Sequence, residues 1–82
     1  MVETVAKRLP VAFYETERGA APVRDWLLSL PSDDRKAIGA DIKTVEFGWP
    51  IGMPLCRAIA GRKGLWEVRS NLTGGRIARV LF

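Results

Sequence analysis

A small α+β fold, in the order strand, helix, helix, strand, strand, strand, is what this 82-residue chain predicts. Three observations carry the prediction. Residues 10–16 form a β-branched and aromatic stretch, residues 22–49 carry two apolar helical periodicities divided by Pro31, and residues 65–82 alternate around a glycine turn. The expected architecture is a helical hairpin packed on one face of a small, mainly antiparallel sheet, with nothing in the chain to cover the other face.

The first strand is expected over Pro10–Thr16, where Val11 and Phe13 alternate with Ala12 and Tyr14. Pro22 suits the opening position of a helix, and Val23, Trp26, Leu27 and Leu30 follow at the spacing of an inward stripe. Pro31 ends that helix. Ser32 is placed as an N-cap for the second, with Asp33 and Asp34 near the positive end of its dipole. Ile38, Ile42, Val45 and Trp49 turn inward, Gly48 and Pro50 stop the helix, and Arg35, Lys36 and Lys43 read as solvated charges. The carboxylates Asp33, Asp34 and Asp41 likewise read as helix-surface groups. A second strand is expected over Leu55–Ala60, with Leu55, Arg57 and Ile59 on one face, followed by a basic turn containing Arg62 and Lys63.

The last two strands pose a question of register, because a one-residue slip exchanges their faces. A two-residue Gly74-Gly75 loop would set Ser70 against Arg79 and bury that guanidinium without an evident partner. A three-residue loop, Thr73 to Gly75, pairs Val68 with Val80, Arg69 with Arg79 and Ser70 with Ala78, and its glycines suit the left-handed position such loops contain. The second register is the expected one. It puts Trp66, Val68, Val80 and Phe82 on one face and Glu67, Arg69, Asn71, Ile77, Arg79 and Leu81 on the other. Like charges directly opposite each other repel, and an anion such as phosphate would relieve Arg69 and Arg79. The plainer alternative is that both are solvated, with Glu67 screening one.

The length allows one domain spanning residues 1–82, in which folding buries only about 60% of the unfolded surface. A hydrophobic content of 48%, with three Trp and three Phe, suffices for a core. The single Cys56 makes no internal disulfide and reads as a buried thiol in a reducing compartment. Neither a signal peptide nor an apolar run of membrane-spanning length is legible, so the expectation is a cytoplasmic protein that does not enter the membrane. The net charge of +4 is uneven. Residues 1–50 hold seven basic against eight acidic groups, whereas residues 51–82 hold six basic groups against Glu67 alone. Such a one-signed cluster favours nucleic acid or an acidic protein partner.

With no histidine and one cysteine, the composition argues against a zinc site, a serine triad or a Cys/His pair. Gly61 to Gly64 lacks the spacing of a phosphate-binding glycine loop. Arg, Lys and Tyr remain for chemistry, a set able to orient a phosphodiester and stabilise charge developing on it.

The order of elements and several motifs resemble the phage-derived, HigB-like branch of the RelE/ParE toxin superfamily. The residues concerned are Phe13-Tyr14-Glu15-Thr16, Pro22-Val23-Arg24-Asp25-Trp26-Leu27 with Leu30, Asp34-Arg35, Asp41-Ile42, Gly48-Trp49-Pro50, Gly64-Leu65-Trp66-Glu67-Val68-Arg69 and Arg79-Val80-Leu81-Phe82. The resemblance implies the toxin of a type II toxin–antitoxin pair, neutralised by a cognate antitoxin and acting with the ribosome on messenger RNA. It implies an endoribonuclease that needs no metal or other cofactor, in which the 2′-hydroxyl attacks the adjacent phosphate. On this resemblance Arg69 and Arg79 are the catalytic candidates. Arg57, Arg62, Lys63 and Arg76 are the RNA-binding candidates. Gyrase-poisoning relatives share the fold, so the fold alone does not select RNA as target. Where relatives continue through a further basic strand and a helix, this sequence stops at Phe82. The expectation is therefore a C-terminally short domain, weakened or inactive as a nuclease, whose open sheet edge invites pairing with another copy or a partner. A non-catalytic basic module that binds an antitoxin segment or nucleic acid is the alternative.

Overall fold

The computed structural model describes residues 7–82, which hold helices α1 (Pro22–Ser29) and α2 (Ser32–Gly48) and strands β1 (Cys56–Ala58), β2 (Trp66–Asn71) and β3 (Ile77–Leu81). The strands form one antiparallel sheet in the order β1-β2-β3, and the helices pack on one of its faces. This is the expected α+β plan.

Helix α1 begins at Pro22, whose missing N–H costs nothing in the first turn, and ends where Leu30 donates its N–H to the Leu27 carbonyl ahead of Pro31. Leu27 is buried and Val23 and Leu30 pack beside it, but Trp26 is exposed rather than part of the inward stripe. Ser32 is not the N-cap of α2. That position falls on Pro31, no side chain caps the helix, and Ser32 lies in the first turn. Ile38 and Val45 are buried on the sheet side, with Ile42 packed against both halves of the core.

Two apolar clusters hold the layers together. Leu27 and Ile38 meet Ala78 of β3, while Val45 meets Cys56 of β1 and Val68 of β2. Trp49, at the end of α2, packs edge-on against Trp66 and Phe82 with ring centroids 5.0 and 5.3 Å away. The Cys56 thiol is buried as expected, and burial together with the Asp41 carboxylate pushes its pKa up.

Hairpin β2–β3 has the three-residue connection. Thr73–Gly75 forms a single 3-10 turn in which Gly74 and Gly75 both have φ of 74°, a conformation that disfavours any side chain. The register sets Val68 against Val80, Arg69 against Arg79 and Ser70 against Ala78. Strand β1 is shorter than the expected Leu55–Ala60. Beyond Ala58 the chain keeps one hydrogen bond, Ile59 N to the Leu65 carbonyl, before Gly61 and Gly64 take it through the turn at positive φ.

The expected first strand does not form. The N–H groups of Arg8 and Leu9 donate to the Glu46 carbonyl of α2, and Val11 N donates to Glu46 Oε2, so this part of the backbone docks on the helix instead of a strand. Pro10 has no N–H to offer a ladder. Val11 and Phe13 are each 41% exposed, and an apolar cavity of about 440 Å³, lined by Leu9, Val11, Phe13, Val45 and Val80, separates this stretch from β3.

Ile38→Ala should lower unfolding free energy by about 2–5 kcal/mol, the cost of an unfilled core site, as read by urea denaturation. Lys7 Nζ lies 3.0 Å from Glu46 Oε2. That ammonium, with the Val11 amide, holds the Glu46 carboxyl below its ordinary pKa. The docking of residues 8–11 is therefore fully supported above the ordinary glutamate range and weakens as pH falls through the lower folded-state value. The Val11 amide chemical shift followed down in pH checks this, and Glu46→Ala should abolish the titration.

Candidate anion-binding face

The sheet face turned away from the helices is built in rows by strand register. Arg57 of β1 stands opposite Glu67 of β2, which stands opposite Leu81 of β3; in the next row Arg69 faces Arg79, and then Asn71 faces Ile77. Side chains alternate along each strand, so the turn length and the β1–β2 pairing together bring Arg57, Arg69 and Arg79 to one surface. Glu67 sits among them. The face thus carries three guanidiniums and one carboxylate.

Glu67 is only 3% exposed although it lies on the uncovered face. Its Oε1 is 2.9 Å from Arg57 Nη2 and 3.8 Å from Arg79 Nε, and both arginine side chains remain about half exposed. At Arg57 the atoms are close enough for an ion pair but lack the alignment of a hydrogen bond. Glu67 therefore does screen Arg79, but Arg57 is its nearer partner. Arg69 is half-buried between them, and its Nε has no hydrogen-bond partner among the described residues. A buried, unpaired guanidinium donor next to a like charge is unfavourable by itself, and an oxyanion bound across Arg69 and Arg79 would relieve the repulsion between them.

The other basic candidates lie elsewhere. Arg62 and Lys63 are exposed in the turn joining β1 to β2, while Arg76 follows the Thr73–Gly75 turn at the opposite end of the sheet. Arg76 is engaged there. Its Nη2 donates to Asp34 Oδ2 at 2.7 Å and its Nε to the Thr73 carbonyl at 3.1 Å, and Thr73 Oγ1 reaches Asp34 Oδ1 at 3.4 Å. Asp34 is thus not the helix-surface carboxylate its position near the start of α2 suggests. It is 2% exposed and ties the hairpin tip to the helix.

Sequence reasoning places Glu67 on this face as a screen for one arginine but misses its burial beneath Arg57, and it misses the partnered role of Asp34 altogether. For Glu67 a signal exists in the strand alternation, which puts it on the same face as Arg69 and Arg79. The pairing with Arg57 appears only once β1 and β2 are set in register. Asp34 carries no local signal, since its partner is distant in sequence.

The model of the phage-derived Gp49-like protein family matches residues 25–82, from the middle of α1 through the whole sheet. The chain belongs to that family. Gp49-like proteins are a RelE-like, toxin-like family, and the matched span contains every arginine of the open face. Comparison with curated proteins and with solved structures finds no match. Among the described residues of this Gp49-like chain, no helix is long and apolar enough to cross a membrane.

Arg76→Ala should cost about 1–3 kcal/mol by leaving the Asp34 carboxylate buried without its cation, whereas Arg62→Ala should stay within about 0.5 kcal/mol. Urea denaturation of the two variants side by side checks the contrast.

Proposed function

We propose that this chain is the toxin of a toxin–antitoxin pair, of the HigB-like kind, and that its open arginine face holds the scissile phosphate of messenger RNA on the ribosome. The observation that carries the reading is the pairing of Arg69 with Arg79 on a sheet face that no helix covers among the described residues. Membership of a toxin-like family and the basic charge concentrated in residues 51–82 support it.

In the proposed reaction the 2′-oxygen forms a bond to phosphorus as the bond from phosphorus to the 5′-oxygen breaks. The 2′-hydroxyl loses its proton and the leaving 5′-oxygen gains one, giving a 2′,3′-cyclic phosphate and a 5′-hydroxyl. Guanidinium groups remain protonated throughout, so Arg69 and Arg79 contribute by orienting the phosphate and stabilising the extra charge of the five-coordinate transition state. Arg57 extends the same surface toward the neighbouring phosphate, and Arg62, Lys63 and Arg76 add attraction from the two ends of the sheet. A cognate antitoxin would silence the protein by covering this face, and the messenger RNA target sets its work in the cytoplasm.

Purified protein added to translating ribosomes should yield cut messenger RNA ending in cyclic phosphate, and Arg69→Ala or Arg79→Ala should each slow cutting by about a hundredfold or more. Uncut messenger RNA with the wild-type protein would remove the nuclease reading. The absence of histidine from the 82 residues favours a second one, a module that binds RNA or an acidic antitoxin segment without cleaving. In that case the same assay returns intact RNA bound with strongly salt-dependent affinity.

A further inference from the structure

We infer that Glu67 is the positioning residue of the open face, a buried strut that holds the Arg57 and Arg79 guanidiniums in place so that their remaining donors are presented to a phosphate. The inference rests on the RNA-directed reading for its ligand, but its geometry stands apart from that reading.

Glu67 is the only carboxylate in the rows built from Arg57, Glu67 and Leu81, from Arg69 and Arg79, and from Asn71 and Ile77. Its side chain is 4% exposed, while those of Arg57 and Arg79 are 51% and 53% exposed. The carboxylate therefore lies beneath the guanidiniums rather than beside them in solvent, and a ligand arriving from solvent meets the arginines first. Each guanidinium has five N–H donors in a rigid fork. Arg57 approaches Glu67 through Nη2 and Arg79 through Nε, which leaves Nε and Nη1 of the first and both terminal nitrogens of the second for an oxyanion. One buried oxygen, Oε1, serves both contacts and so draws the two side chains toward a common point.

A long arginine side chain loses rotamer freedom when it binds, and one already held loses less. The strut would lower that cost for two of the three arginines. It also offsets part of the repulsion within the cluster. Because Glu67 lies buried beneath the guanidiniums, its role is to position and not to react.

Strut and simple counter-charge predict opposite signs for one substitution. Glu67→Gln raises the positive charge of the face, so if Glu67 only diluted that charge, the variant would bind a labelled single-stranded RNA oligonucleotide more tightly and with a steeper salt dependence. If Glu67 positions the arginines, binding should weaken about threefold, the scale of an ion pair of this exposure. The slope of log affinity against log salt should also fall by about 0.7, one phosphate contact. Tighter binding with a steeper slope would overturn the inference.

A second measurement needs neither RNA nor a variant. In the wild-type protein the Nε–Hε NMR signals of Arg57 and Arg79 should show the restricted motion of the backbone, and that of Arg62 should not. Equal mobility of all three would overturn the inference, and this comparison decides it if Glu67→Gln does not fold. Ordered guanidiniums in a protein that binds no RNA would uphold the strut and remove the RNA reading instead.

Discussion

With Gly74 and Gly75 both at positive φ, the connection between β2 and β3 closes over three residues, and that length determines which side chains share a surface. A connection shorter by one residue would exchange the faces of one strand relative to the other and send Arg79 toward Val68. The core would then receive a guanidinium, and the open face would lose half of its central pair. The hydrophobic layer and the arginine surface are two sides of one geometric condition. Val68 and Val80 can face the helices only if Arg69 and Arg79 face away from them.

Two buried carboxylates, one on each side of the sheet, show how a chain of this size manages charge. Asp34 and Glu67 are each capped by arginines whose stems lie along the protein while part of the head remains in water. Because the cations keep much of their hydration, each pair avoids part of the desolvation cost that a fully enclosed ion pair carries. The two have different consequences. Asp34 and Arg76 join α2 to the hairpin tip through an aligned hydrogen bond, whereas Glu67 is shared by ion pairing between two arginines of the neighbouring strands.

Most of the fold was legible because it is governed by local rules. The apolar spacing of Leu27, Ile38 and Val45, the punctuation at Pro31 and Gly48, and the alternation around Gly74 and Gly75 act over a few residues, and each holds in the structure. Where expectation and structure part, a distant contact has won. Residues 10–16 have the composition of a strand, yet Pro10 offers no N–H and the Val11 N–H goes to the Glu46 side chain, next to the docking of Arg8 and Leu9 on the Glu46 carbonyl. Trp26 has the spacing of a core residue but lies at the edge of a short helix whose inward surface Leu27 occupies. The pairing of Arg69 with Arg79 follows from alternation alone. The burial of Glu67 does not, because it needs β1 alongside to bring Arg57 over it.

The tightness of the β2–β3 connection has a consequence in time. A hairpin closed by three residues forms within about ten microseconds, whereas the contacts of Asp34 with Arg76 and of Val45 with Val68 bridge long stretches of chain and must wait for larger loops to close. The pairing of the arginines of β2 and β3 thus rests on local contacts, while the helices behind them are seated by distant ones. A lone two-stranded hairpin is marginal in water, and this one begins with its like charges opposed. The helical layer is what makes that arrangement last: packed behind β2 and β3, it turns a fleeting crowding of charge into a permanent surface.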